Sequence, residues 1–184
     1  MFFLNLEKIM TKRLFDIVCS LGGLIVAAPL FAVIALFIKM SSPGPVLYRG
    51  FRTGRYGKSF VMYKFRSMVP DAETTGVTST AADDPRLTKM GKFLKRYNLD
   101  ELPQLINIVK GDMSFVGPRP QVKWATDLYT EEEKAILTIR PGLTDLAFVE
   151  IPNEAEILRG SKDPDKDYME KIHPKKMELE FEYV

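Results

Sequence analysis

The chain has 184 residues, of which 46% are hydrophobic, and its 26 lysines and arginines nearly balance its 24 acids. This length supports one domain with a real core but leaves little room for a second. The single cysteine, Cys19, excludes an internal disulfide framework and fits a reducing compartment.

An apolar run dominates the N-terminal part, because residues 17–38 contain no charged side chain. As an α-helix this run would be about 33 Å long at about 1.5 Å per residue, close to the thickness of a bilayer core. It is longer than the apolar region of a cleaved signal peptide, and it lacks the polar stripe of a soluble core helix. We therefore expect residues 1–40 to form a segment that enters the membrane.

Pro29 lies near the middle of the run, where it removes one backbone hydrogen bond and predicts a kink. Basic residues flank the run on both sides, and the positive-inside rule favours placing both flanks on the cytoplasmic face. Asp16, three residues after Arg13, is then expected to be paired near the interface. Composition leaves two interpretations open: a helix that bends and returns to the same side, and a plain single span.

The pattern after residue 40 predicts an α+β domain over residues 41–184. A β-hairpin is expected at residues 46–53 and 59–68, and surface helices at about 87–97, 99–110 and 131–138. Asn98 would cap the second helix with Glu101 as its capping-box partner, and Thr130 would cap the third. The helix at 87–97 is basic and amphipathic, so it could lie against anionic lipid headgroups.

Asp100 and Glu101 are adjacent at a predicted helix start, where acids are stabilised by the helix dipole without any further role. Neighbouring helical positions point about 100° apart, so the two carboxylates would have different tasks. One could attack a phosphorus while the other holds a metal or takes a proton. Phosphoryl chemistry also needs cations, usually Mg²⁺ with Arg or Lys. The candidate phosphate ligands are Lys64, Arg66, Arg96, Arg119 and Arg140; Lys64 and Arg66 could equally be solvated charges on an edge strand.

Several ordered motifs carry a resemblance to a known family. The first motif consists of Lys12, Arg13 and Asp16. The others are KFRSM at 64–68, DPRLT at 84–88, NLDELPQL at 98–105, KGDMSFVGPRP at 110–120 and RPGLT at 140–144. Over residues 11–149 the chain closely resembles the monotopic phosphoglycosyl transferases, the bacterial sugar transferase family.

The resemblance implies a re-entrant, broken membrane helix that does not cross the bilayer, with Arg13, Asp16 and Pro29 in this segment. It implies that Asp100 attacks the β-phosphate of a UDP-sugar, releases UMP and forms a phosphosugar-aspartate. Polyprenol (undecaprenyl) phosphate then attacks, with Mg²⁺ required and Glu101 associated with the metal. The expected location is the cytoplasmic face of the bacterial inner membrane, in contact with membrane lipids. No nucleic-acid partner is expected. The oligomeric state is left open, and a homo-oligomer is one possibility.

Three departures from the family pattern stand out. The helix break reads Ala28-Pro29, where the family often has Ser-Pro, so the kink would rest on the proline alone. Residues 145–150 read DLAFVE, where the family usually has GLxQV, which puts nucleotide or sugar recognition there in doubt. The chain ends at residue 184, where relatives tend to continue, so we expect a shorter C-terminal part.

Two rival functions remain open on sequence. One is an enzyme that transfers only the glycosyl group and releases UDP, which needs no aspartyl nucleophile. The other is a membrane-attached module that binds nucleotide-sugar or anionic lipid without turnover. The lone His173 has no Cys or His neighbour at metal-ligand spacing, and the absence of a GxxxxGK[ST] loop argues against P-loop nucleotide binding.

Overall fold

A computed structural model describes residues 2–151 and 153–184. The chain begins with one long helix, α1 (Phe2–Ser41), followed by an antiparallel hairpin of β1 (Leu47–Thr53) and β2 (Ser59–Phe65). Helices α2 (Lys89–Arg96) and α3 (Gln104–Lys110) come next, and β3 (Ser114–Val116) pairs in parallel with β4 (Gly142–Thr144). The short helices are α4 (Lys123–Asp127), α5 (Leu146–Glu150), α6 (Glu154–Ile157), α7 (Pro164–Lys171) and α8 (His173–Tyr183). The expected α+β architecture with a β-hairpin is confirmed.

Helix α1 keeps a helical backbone through Pro29, so the chain is not divided there into two separate helices. The physical reason lies in its contacts, because both halves pack against the same domain. Asp16 and Ser20 are buried in the first half, and Ile34 and Ile38 are buried in the second. A single proline removes one hydrogen bond, and a helix held on both sides of it can remain helical.

The opposite face of α1 is apolar and exposed. Ile25 is 75% exposed and Val26 is 82% exposed, although both are large hydrophobic residues. The segment Ile9–Ser41 contains an 18-residue window with a mean hydropathy of 2.6 and is long and apolar enough to cross a membrane. A contiguous apolar surface of this length is typical of a membrane contact rather than of a water-exposed helix.

Polar contacts fasten the first half of α1 to the domain. The Arg13 guanidinium donates to the carbonyls of Ile108 (2.6 Å) and Val109 (2.9 Å) near the C-terminal end of α3. Asp16 accepts from the Ser114 hydroxyl (2.8 Å) and from the Phe115 backbone N–H (3.2 Å). Asp16 is therefore paired as expected, but with β3 rather than with Arg13.

The predicted helix over residues 99–110 is wrong in detail. The chain forms a 3₁₀ turn at Leu99–Glu101, and α3 begins only at Gln104. Asn98 adopts a left-handed conformation (φ 54°), and its side chain caps nothing. The capping box with Glu101 does not form because the Glu101 carboxylate faces basic side chains instead. At Thr130 the expected capping does occur, since its hydroxyl accepts from the Glu133 N–H at 3.2 Å and opens a 3₁₀ helix, Glu133–Thr138.

Candidate active site

The Asp100–Glu101 pair lies in the 3₁₀ turn that joins α2 to α3, and both residues are buried, at 3% and 9% exposure. The left-handed Asn98 reverses the chain direction just before this turn. The two carboxylates have different surroundings. Glu101 is held by two basic side chains, whereas the Asp100 carboxylate accepts no hydrogen bond from the described residues. This difference supports separate tasks for the two acids.

Glu101 is clamped between Lys64 and Arg119. The Lys64 Nζ donates to Oε1 at 2.8 Å, and Arg119 donates through Nη1 to Oε2 at 3.2 Å and through Nη2 to Oε1. Burial alone would raise the pKa of Glu101, but the two cations outweigh it and hold this pKa well below its usual range. Glu101 in turn raises the pKa of Arg119. Glu101 is therefore an anion at neutral pH and cannot act there as a proton donor.

Lys95 lines the same cavity as Asp100. Burial lowers the pKa of Lys95, although the charge of Asp100 acts in the opposite direction. An ammonium group in the same cavity as a carboxylate without a hydrogen-bond partner can compensate the charge of a phosphate that approaches that carboxylate.

A cavity of about 760 Å³ opens beside the pair. This volume lies within the range of small-molecule sites, about 300–1,000 Å³. One wall is strongly basic and carries Arg52, Lys64, Lys92, Lys95, Arg96 and Arg119. Such a wall is suited to a diphosphate. A second wall comes from the C-terminal third of the chain and includes Glu154, Tyr168 and Lys176.

Three of the five predicted phosphate ligands lie at the cavity: Lys64, Arg96 and Arg119. Arg66 and Arg140 do not. Arg66 donates to the carbonyls of Ser42 and Pro43, both at 2.7 Å, and ties the end of α1 to the hairpin. Strand β2 ends at Phe65, so the alternation that would place Lys64 and Arg66 on one face does not continue.

Arg140 does not line the cavity, and its Nε donates to the carbonyl of Gly111 at 3.1 Å. Its charged neighbours there include Arg13, which fastens α1, and both burial and this neighbour lower the pKa of Arg140. In this arrangement Arg140 is a residue of the interface between α1 and α3.

Sequence reasoning missed several residues of the cavity. Lys95 is one of four basic residues on the predicted helix at 87–97, and the sequence pattern of this helix indicates a surface that faces solvent or lipid. Lys176 and Tyr168 belong to a charged tail without a motif. The departure from the family pattern at residues 145–150 was the one available signal, because Asp145 and Phe148 do line the cavity. Asp145 also caps α5, accepting from the Phe148 N–H at 2.6 Å.

The described residues contain no cluster of three or more acids, histidines or cysteines that could hold a metal. A Mg²⁺ ion commonly takes one or two carboxylates and completes its coordination with phosphate oxygens and water. Asp100 fits that pattern, since its oxygens are not engaged by other side chains. Both oxygens of Glu101 accept from Lys64 or Arg119, but Oε2 accepts only one hydrogen bond, so a Mg²⁺ ion at Glu101 would share this oxygen with Arg119.

Comparisons with known proteins bear on this site. The chain is 46% identical over 143 residues to the exopolysaccharide production protein PSS of Rhizobium leguminosarum bv. phaseoli, covering 74% of this chain and 72% of that protein. It is 42% identical over 161 residues to the undecaprenyl-phosphate galactose phosphotransferase of Salmonella typhimurium (79% and 33%). It is 39% identical over 176 residues to the UDP-glucose:undecaprenyl-phosphate glucose-1-phosphate transferase of Escherichia coli K12 (94% and 36%).

The chain thus spans most of the first relative and about a third of the other two. The family described as bacterial sugar transferase matches residues 7–183, which include most of α1, the Asp100–Glu101 turn and both walls of the cavity. The match covers nearly the whole chain, and this protein belongs to the bacterial sugar transferase family.

Proposed function

We propose that this protein transfers a sugar 1-phosphate from a UDP-sugar to undecaprenyl phosphate and releases UMP, which begins the synthesis of a polysaccharide or glycoconjugate on its lipid carrier. The observation that carries the proposal is the Asp100 carboxylate, buried but not engaged by other side chains, at the edge of a basic cavity. The names of the Salmonella and Escherichia coli relatives describe the same class of transfer.

In the first step, an oxygen of Asp100 forms a bond to the β-phosphorus of the UDP-sugar. The bond from that phosphorus to the bridging oxygen breaks, and UMP leaves with the electron pair. In the second step, a phosphate oxygen of undecaprenyl phosphate attacks the same phosphorus and Asp100 leaves as a carboxylate. Covalent catalysis suits a soluble donor and a membrane-bound acceptor, because the two need not occupy the site together.

The neighbouring side chains neutralise the charge of the phosphate groups and hold one another in position. Lys95 and Lys64 lie at the wall where phosphate oxygens gain negative charge, and such fixed cations stabilise that charge without reorganisation. Glu101 keeps Arg119 and Lys64 in place through its ion pairs. A bound Mg²⁺ held by Asp100 and the diphosphate would supply further neutralisation of the leaving group.

We further propose that α1 attaches the protein to the bacterial inner membrane from the cytoplasmic side without crossing it. Domain contacts run from Arg13 to Ile38, about 38 Å at about 1.5 Å per residue. If α1 crossed a hydrocarbon core about 30 Å thick, the polar domain fastened to both halves would have to enter the bilayer. A shallow, one-sided insertion leaves the domain in water.

The test uses purified full-length protein with Mg²⁺ and a UDP-sugar but no lipid acceptor. We expect up to one equivalent of UMP, and a gain of one phosphosugar in mass on the peptide that contains Asp100. Asp100→Asn should abolish both signals, whereas Asp127→Asn, an exposed acid in α4, should change neither. Release of UDP would indicate a transfer of the glycosyl group alone, and binding without any release would indicate a module without turnover.

A further inference from the structure

The C-terminal wall of the cavity contains an ion pair between the buried Lys176 and the partly exposed Glu154, and the hydrogen-bonding capacity of this pair is only partly used. Lys176 is 2% exposed, and its Nζ donates to Glu154 Oε1 at 2.6 Å. The second oxygen of Glu154 accepts no hydrogen bond from the residues that the structure describes, and the other Nζ protons of Lys176 have no oxygen acceptor there. Burial of the Lys176 ammonium group costs desolvation energy unless further hydrogen bonds satisfy it. A ligand in the cavity could supply them.

Tyr168 and Gln121 extend this group. The Gln121 side-chain amide donates to the Tyr168 hydroxyl at 3.1 Å, and the Lys176 Nζ lies 5.7 Å from the centre of the Tyr168 ring. The Tyr168 hydroxyl proton has no acceptor within residues 2–151 and 153–184. The four side chains together offer a carboxylate acceptor, ammonium donors, a hydroxyl and an amide around one aromatic ring.

This group lies next to the catalytic pair. Asp100, Glu101 and Arg119 line the same cavity as these four side chains, and the Arg119 backbone N–H donates to Glu180 of α8 at 3.2 Å. In a UDP-sugar the sugar is bonded directly to the phosphate whose phosphorus Asp100 would attack, whereas the uridine is one phosphate further away. The groups that bind the sugar must therefore lie beside the catalytic pair, as these do.

The chemistry also favours a sugar over a nucleobase. Each sugar hydroxyl both donates and accepts, and a carboxylate beside an ammonium group serves both functions for neighbouring hydroxyls. Sites that hydrogen-bond a substrate hydroxyl discriminate strongly against donors that lack it, because their buried polar groups are then left without partners.

We propose that Glu154, Lys176, Tyr168 and Gln121 form the subsite that binds the sugar hydroxyls of the donor and selects which sugar is transferred. This inference rests on the proposed function, because it assumes a UDP-sugar as the donor. The subsite is contributed by α6, α7, α8 and the segment before α4, so selection of the sugar belongs mainly to the C-terminal third of the chain.

The test measures binding by calorimetry on the full-length protein, in an Asp100→Asn background that prevents turnover. The probes are UDP-glucose, UDP-galactose, UDP-N-acetylgalactosamine and UDP. We expect Glu154→Gln to weaken binding of the preferred UDP-sugar about tenfold and to leave UDP unchanged. Tyr168→Phe removes only a hydroxyl and should weaken the same UDP-sugar severalfold. Glu178→Gln, on the exposed face of α8, is the matched control.

Equal weakening for UDP and the UDP-sugar would overturn the inference, because the group would then bind the nucleotide. Unchanged affinities in both variants would also overturn it and make the ion pair purely structural. Thermal unfolding of each variant shows whether Glu154→Gln loosens α6 from α8, and Tyr168→Phe keeps the test decisive in that case. UMP release by the wild type tests the proposed function separately, since the binding comparison needs no turnover.

Discussion

Arg119 uses both terminal nitrogens of its guanidinium on the two oxygens of Glu101. Lysine would keep the charge but could not reproduce this two-point contact. We therefore expect Arg119→Lys to lower the rate of UMP release about tenfold or more, which corresponds to about 1.4 kcal/mol of barrier. Arg49→Lys, on an exposed arginine of β1, is the control. Near-normal turnover in Arg119→Lys would mean that the geometry of this contact is not needed.

Glu180 provides a prediction about pH. Its carboxylate is 2% exposed and accepts from the Arg119 backbone N–H at 3.2 Å. Burial, reinforced by Asp145 and Glu154 and opposed by Lys176, raises the pKa of Glu180 to about 7. Between pH 4.5 and 7 the folded protein then binds this proton more tightly than the unfolded chain does. The free energy of unfolding should fall as pH rises through this window, by up to about 3 kcal/mol.

Glu180→Gln keeps an acceptor for the Arg119 N–H but cannot titrate. Thermal unfolding measured from pH 5 to pH 8 should therefore show a flatter pH dependence for Glu180→Gln, with the variant the more stable protein at pH 8. Glu178→Gln on the same helix should follow the wild type. Parallel curves for the wild type and Glu180→Gln would contradict this account of the buried carboxylate.

At the residue scale, the sequence was sufficient to predict which motif residues belong to the site. It was insufficient to predict which side chains contact them. The position of Asp100 and Glu101 and the basic character of their surroundings were predictable, because both are local properties of the chain. The diversion of Arg66 to the end of α1 was not predictable, because it depends on where β2 ends. Lys176 was not predictable as a cavity residue, because nothing in a charged tail indicates which lysine is buried.

At the scale of elements, α2 depends on a close approach to the chain that follows β2. A Cβ atom at Gly91 would lie 1.7 Å from the carbonyl oxygen of Ser67, which is backbone and cannot rotate away. Because α2 carries Lys95 and leads into the Asp100–Glu101 turn, a displaced helix should affect both stability and turnover. Periodicity predicted the existence of this helix but not its contact distance.

We expect Gly91→Ala to lower the free energy of unfolding by about 3 kcal/mol, at the upper end of the cost of overpacking, and to reduce UMP release strongly. Gly22→Ala is the matched control, since a Cβ atom there would meet nothing within 4 Å and alanine favours a helix. Thermal unfolding and UMP release of both variants give the comparison. A Gly91→Ala protein that melts and turns over like the wild type would show that α2 has room to move.

At the scale of the whole molecule, α1 has two dissimilar faces. Its domain face combines the polar anchors Arg13 and Asp16 with the buried Ile34 and Ile38, and the opposite face, which includes Ile25 and Val26, is exposed and apolar. The sequence predicted a membrane segment from the absence of charge in residues 17–38. It could not show that both halves contact the same domain, since that is a long-range property of the fold. This contact favours attachment from one side over a span.

The topology can be measured by cysteine labelling. In a Cys19→Ser background, single cysteines at position 5 within α1 and at the exposed Ser59 report on the two flanks. If α1 enters and leaves on the cytoplasmic side, a membrane-impermeant maleimide should label neither position in intact spheroplasts and both after permeabilisation. A cysteine at the exposed Asp127 confirms that the reagent reaches the domain once the membrane is opened. In a spanning helix the two flanks would lie on opposite sides of a core about 30 Å thick. If the reagent labels position 5 from outside while Ser59→Cys stays protected, α1 crosses the membrane.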